Sequence, residues 1–168
     1  MIFGFMLTAA VISMWVMNTA TTIMLLPIGL AVVTVVKSTV NYLSDEEIES
    51  FQLALLLGIA YGATIGGMST LIGTGPNGML AAFMADNYNL DISFVDWMKV
   101  GVPLSAIMLP CSWIILTRVI FKVNFETSIE TKQLLTSMKK ELGILKGPEL
   151  KVLIVFFLTA LAWMFRTV

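Results

Sequence analysis

The sequence predicts an all-α polytopic membrane fold that contains a re-entrant helical hairpin and a broken transmembrane helix. Three observations carry that expectation. Of the 168 residues, 58% are hydrophobic and only 12% charged, where a soluble domain carries about 25% charged residues. Residues 1–36 and 50–85 hold no Asp, Glu, Lys or Arg at all, and each window exceeds the ~20 residues a spanning helix needs. Both windows are interrupted, one by short polar side chains and the other by glycines.

The first window sets the hairpin. As one straight helix, 36 apolar residues would run to ~54 Å against a hydrocarbon core of ~30 Å. The run has to break, and Asn18-Thr19-Ala20-Thr21-Thr22 marks the place, because these side chains compete for backbone hydrogen bonds and favour a helix start over a helix middle. The spacing predicts a helix over 1–16, a tip at 17–19 and a second helix over 20–37, with Pro27 inside it as a candidate kink. Residues 1–37 therefore read as a re-entrant hairpin. The opening MIFGFMLTAAVISMWV lacks the basic segment of a signal peptide and begins inside a hydrophobic run, so the chain is expected to start within an element.

A polar connection follows from Lys37 to Ser50. Within it Ser44-Asp45-Glu46-Glu47 has the spacing of a capping box, Ser44 as N-cap and Glu47 three residues on, with acids suited to the helix dipole. The helix it starts runs into GGMSTLIGTGPN at 66–77, which is too rich in glycine to stay regular. Backbone groups freed within a bilayer must face protein or a wet cavity. Pro76 then suits the first turn of a short helix of about nine residues, 77–85. Residues 45–85 thus read as one broken transmembrane helix with an unwound loop at 66–77.

Beyond an acidic loop holding Asp86, Asp91 and Asp96, a transmembrane helix is expected over 97–118, with Pro103 and Pro110 inside it. Seven of the ten basic residues fall between Arg118 and Lys151, which makes that region cytoplasmic by the positive-inside rule. Residues 119–149 space Ile129, Leu134, Leu135, Met138, Leu142 and Leu145 as an amphipathic helix. A last transmembrane helix is expected over 150–168, anchored by Trp163 and Arg166.

Composition also excludes functions. A net charge of −1 leaves no electrostatic footprint for nucleic acid. There is no histidine, and Cys111 has no second cysteine for a disulfide or a zinc site. General acid–base or redox chemistry has no residues to use, so the chain is not expected to be an enzyme. Gly73-Thr74-Gly75-Pro76-Asn77-Gly78 fits GxGxxG, with Asp96 downstream, but a dinucleotide site needs a strand before the loop and a soluble βαβ unit around it. Trp15, Trp97, Trp113 and Trp163 read as packing or interfacial anchors.

The two interruptions are the informative pair. Discontinuous helices bring half-helix ends and unwound carbonyls to the middle of a membrane, where ions and substrates are bound. Ser13, Asn18 and Thr19 offer neutral oxygens, and the start of the following helix directs partial positive charge at an anion. Carbonyls around Met17, Asn18 and Gly66 could share a dehydrated Na⁺, whose charge would favour an anion beside it. The competing reading is that Asn and Thr only pack or cap helices, and two clusters in tandem weigh against it.

SMWVMNTATTIMLLPI at 13–28 resembles the first signature of the divalent anion:sodium symporter family, which includes dicarboxylate, citrate and sulfate transporters. GGMSTLIGTGPN resembles that family's neighbouring broken-helix loop, and the final LAWMFR its next helix. The resemblance covers essentially the whole chain. It implies an inverted-repeat transporter, homodimeric when complete, that moves a small divalent anion with Na⁺ as coupling ion and no cofactor, in a plasma or bacterial inner membrane. Carried over by match, Asn18 and Thr19 contact substrate, and Ser13, Met17, Asn18 and Gly66 surround Na⁺. Met17 stands where the family's tip serine is usual, which removes a hydroxyl and keeps the main-chain carbonyl.

The expected function is a fragment of a secondary transporter that couples Na⁺ entry to uptake of a C4-dicarboxylate, citrate or sulfate. An ion antiporter of the same superfamily and a non-transporting membrane fragment are the alternatives. A membrane-embedded Asp or Glu would favour the antiporter, and none appears in the assigned segments.

Overall fold

The computed structural model describes residues 1–39, 44–122 and 147–164. Every regular element among them is helical: α1 (Ile2–Ser13), α2 (Asn18–Thr39), α3 (Asp45–Gly67), α4 (Gly75–Tyr88), α5 (Phe94–Ile114, continued by a π-helical segment Ile115–Ile120) and α6 (Gly147–Met164). Among the described residues four helices are long and apolar enough to cross a membrane: Asn18–Ser38, Asp45–Gly67, Phe94–Ile120 and Gly147–Met164. α1 has 12 residues, a length of ~18 Å, and cannot cross alone.

Contacts divide the chain into Met1–Phe125 and Glu126–Val168. In the first unit α3 is the central helix and packs against α1, α2 and α5. Gly58 meets Ile2 and Met6, Gly62 meets Met6, and Gly66 meets Ala10, so α1 and α3 run parallel. Asn18 lies at Gly67 while Gly29 lies at Ile59 and Leu55, so α2 runs antiparallel to both. α5 also runs antiparallel to α1, since Trp15 stacks on Phe94 at 6.2 Å and Phe3 meets Trp113 edge-on at 5.4 Å.

The chemistry of the helix faces explains this packing. Lipid is as apolar as leucine, so close contact and satisfied backbone groups, not escape from water, hold such helices together. Gly58, Gly62 and Gly66 recur every four residues and give α3 a groove without side chains. Met6, Ala9, Ala54, Leu55 and Ala63 fill the seam around it and are wholly buried. The outward faces of α2 and α5 expose Ile23, Met24, Ile28, Val100, Leu104 and Ile107, as helices facing lipid do.

Local signals account for the helix ends. The capping box is formed: Glu47 N–H donates to Ser44 Oγ at 3.3 Å, and Ser44 N–H donates to Glu47 Oε2 at 2.9 Å. α2 continues through Pro27. Pro76 lies in the first turn of α4, where its missing N–H costs nothing. The turn of the hairpin is Met14–Met17, closed by Trp15 and Val16 N–H groups that both donate to the Ile12 carbonyl. Asn18 and Thr19, placed by sequence within the tip at 17–19, are the first two residues of α2. Short polar side chains here open the helix instead of forming the turn.

α6, in the second unit, is an 18-residue apolar helix whose Val152, Val155, Phe157 and Leu158 side chains are exposed. Arg166 and nearly all of the amphipathic segment expected at 119–149, namely 123–146, lie outside the described residues.

Candidate functional site: a junction of four helix ends

The hairpin turn and the break after α3 meet. α1 ends at Ser13 and α3 at Gly67, and these ends present carbonyls and partial negative charge. α2 begins at Asn18 and α4 at Gly75, and these ends present free N–H groups and partial positive charge. Two ends of each sign are therefore gathered in one place.

Asn18 is the hub. Its side-chain amide lies 2.7 Å from Ser13 Oγ, 3.1 Å from the Ala63 carbonyl and 3.2 Å from the Gly73 carbonyl. With Nδ2 turned toward them, the amide donates to both carbonyls. Three neutral oxygens, from α1, α3 and the loop, thus form a cage around the amide. Ser13 is fully buried. Gly67 and Gly73 have no side chains because none would fit: a Cβ on Gly67 would overlap Asn18 Oδ1, and one on Gly73 would lie 2.8 Å from the Ser13 carbonyl.

The carbonyls freed where α3 unwinds all find donors. Ser105 Oγ donates to Ile65 at 2.8 Å, and Ser69 N–H to Gly66 at 2.9 Å. Asn77 Nδ2 donates to Gly67 at 3.0 Å and to Thr70 at 2.7 Å, and Trp97 Nε1 to Met68 at 3.0 Å. Thr70 Oγ1 donates to the Met14 carbonyl in the hairpin turn and accepts from Gly73 N–H at 3.1 Å. Ser69 Oγ donates to Ser105 Oγ at 2.8 Å. Among the described residues no buried side-chain nitrogen or oxygen lacks a partner, which is what an unwound segment inside apolar surroundings demands.

Of the residues singled out by sequence, Ser13 and Asn18 touch. Thr19 is exposed in the first turn of α2. Met17 is 62% exposed and its carbonyl accepts Thr21 N–H at 3.0 Å, while the Gly66 carbonyl accepts Ser69 N–H. Met17 and Gly66 thus stand beside the Asn18 cage, each with one carbonyl lone pair already used. Sequence reasoning missed Ala63 and Gly73, whose contribution is main-chain, and missed Thr70, Asn77 and Ser105. Trp97, read as a packing or interfacial anchor, instead donates to the broken helix. Asn77 had a usable signal, a lone amide side chain directly after the glycine-rich break.

The donor set is wholly neutral, and among the described residues no three acidic, His or Cys side chains cluster to hold a metal ion. Neutral oxygens suit a hard monovalent cation. Spanning helices that break at one polar junction define an integral membrane protein of the transporter class. Residues 1–168 match the model of the family described as "Citrate transporter", and the chain belongs to that family. It is 38% identical over 168 residues to the "Sodium-dependent dicarboxylate transporter SdcS" of Staphylococcus saprophyticus, covering 97% of this chain and 32% of that protein. A protein of the same name from Staphylococcus aureus is 34% identical over 164 residues, again covering 97% of this chain and 32% of its own length. The chain spans about a third of the length of these curated relatives. Family and apolar helices together make it an integral membrane protein of the bacterial plasma membrane, and a transporter-family chain as opposed to an enzyme.

Proposed function

We propose that this chain supplies one half of the ion and substrate site of a Na⁺-coupled symporter for a small divalent anion, with a C4-dicarboxylate as substrate. The observation that carries the reading is the oxygen cage around the Asn18 amide, set where two helix C-termini meet two helix N-termini. Na⁺ takes the carbonyl side, with Ser13, Asn18, Ala63 and Gly73 as first partners and the Met17 and Gly66 carbonyls beside them. The anion takes the N-terminal side, at Asn18 and Thr19. A bound Na⁺ raises the affinity for a dianion next to it, and the anion does the same for Na⁺, so coupling is electrostatic and reciprocal. The names of the staphylococcal relatives support both Na⁺ and the dicarboxylate. α1, too short to cross, and α2, packed antiparallel on it, form the re-entrant hairpin in this reading. Inverted repeats, a homodimer and an elevator-like motion rest on the resemblance of the two motifs.

The test is uptake of labelled succinate, citrate and sulfate by proteoliposomes holding the full-length polypeptide under an imposed Na⁺ gradient. Succinate uptake should require Na⁺ and should be lost in Asn18→Ala. Equal uptake with choline replacing Na⁺, or wild-type uptake in Asn18→Ala, would sink the assignment.

A further inference from the structure

We infer that Asn77 is a positioning residue for the coupling ion: its amide clamps the unwound loop so that the Gly73 carbonyl is held at the Asn18 cage. The inference rests on the Na⁺ reading above and adds to it a residue that acts through the backbone of the unwound loop.

The geometry is specific. Asn77 is 8% exposed, the one buried residue of α4. Its Nδ2 spends both protons on carbonyls three residues apart, Gly67 at the end of α3 at 3.0 Å and Thr70 in the loop at 2.7 Å. The loop is thereby closed across its own width. Thr70 passes the constraint on, because its hydroxyl accepts Gly73 N–H at 3.1 Å and donates to the Met14 carbonyl. The Gly73 carbonyl, on the residue so fixed, reaches the Asn18 amide at 3.2 Å. Between Gly67 and Gly75 the backbone is neither helix nor strand, and the Asn77 and Thr70 bonds act there beside Ser69 N–H on Gly66 and Trp97 Nε1 on Met68. A glycine-rich segment left unclamped samples many backbone angles, and each one averted is ordering that ion binding need not supply.

The experiment is Na⁺ titration of dicarboxylate uptake by the full-length polypeptide in proteoliposomes, with membrane protein levels and thermal stability measured in parallel. Asn77→Ala should raise the Na⁺ concentration for half-maximal uptake by about tenfold or more, with the substrate KM at saturating Na⁺ within about twofold of wild type. Thr70→Val, which removes the relay hydroxyl, should shift the Na⁺ dependence the same way. Thr70→Ser, which keeps the hydroxyl, should restore it, and this pair decides the matter if Asn77→Ala fails to fold. Unchanged Na⁺ half-saturation in Asn77→Ala and Thr70→Val, with only stability lowered, overturns the inference and leaves a packing role. Na⁺-independent uptake by the wild type would instead overturn the underlying reading.

Discussion

Gly66 lies so close to Ala10 that a Cβ added to it would overlap the Ala10 carbonyl oxygen. At Gly62 the added atom would meet the Met6 main chain, whereas at Gly58 it would meet only the Met6 and Ile2 side chains, at 3.1 and 3.3 Å. Backbone cannot move aside as a flexible methionine can. Gly66→Ala and Gly62→Ala should each cost about 1–3 kcal/mol or more through forced separation of α1 and α3, and Gly58→Ala clearly less. Thermal unfolding in detergent, compared across the three variants, checks the order, and equal losses would contradict the seam.

α5 is tied to the broken helix by Ser105, which donates to the Ile65 carbonyl, and by Trp97, which donates to Met68. Ser105→Ala leaves Ile65 and Ser69 Oγ short of a partner in a buried place, a loss of about 1–3 kcal/mol. Trp97→Phe removes the donor and keeps the ring, so its loss should sit near 1 kcal/mol. Hydrogen exchange at Met68–Gly73 should accelerate in both variants. Exchange unchanged in that segment would mean that α5 does not restrain the loop.

Much of this was legible in sequence, and the reason is physical. Charge-free windows report directly on lipid as solvent, and a capping box such as Ser44 to Glu47 is a local contact whose geometry follows from spacing alone. Asn18 was visible because an amide in an apolar run needs a partner. What sequence could not give were the partners themselves. Ala63 and Gly73 act through carbonyls, and every residue has a carbonyl. Ser105 reaches Ile65 across 40 residues, a pairing set by how α5 lies on α3. The tip boundary moved for a related reason: polar residues after a helix break can form the turn or start the next helix, and here Met14–Met17 serves as the turn.

Ser13 offers a direct test of the proposed ion site. Its hydroxyl is fully buried and 2.7 Å from the Asn18 amide. Ser13→Ala removes one neutral oxygen and should raise the Na⁺ concentration for half-maximal uptake by about tenfold, in line with the loss of one good contact to a charged group. Ser13→Cys, close in shape with a poor ligand for a hard cation, should resemble alanine. Wild-type Na⁺ dependence in both would remove Ser13 from the ion site.

Met17 is the last residue before α2, so it holds the N-cap position, and its carbonyl already accepts Thr21 N–H as a cap carbonyl does. Methionine has no oxygen with which to cap, and at 62% exposed its side chain has little packing to lose. Met17→Ser should therefore stabilise the protein, by about 1 kcal/mol at most, through a hydroxyl that accepts from the first turn of α2. The same hydroxyl stands beside Thr19 on the proposed anion side. The substrate KM should fall while Na⁺ half-saturation, which draws on the retained Met17 carbonyl, stays within about twofold of wild type. A change confined to Na⁺ dependence would place the residue 17 side chain on the cation side and reverse the assignment of the two halves of the junction.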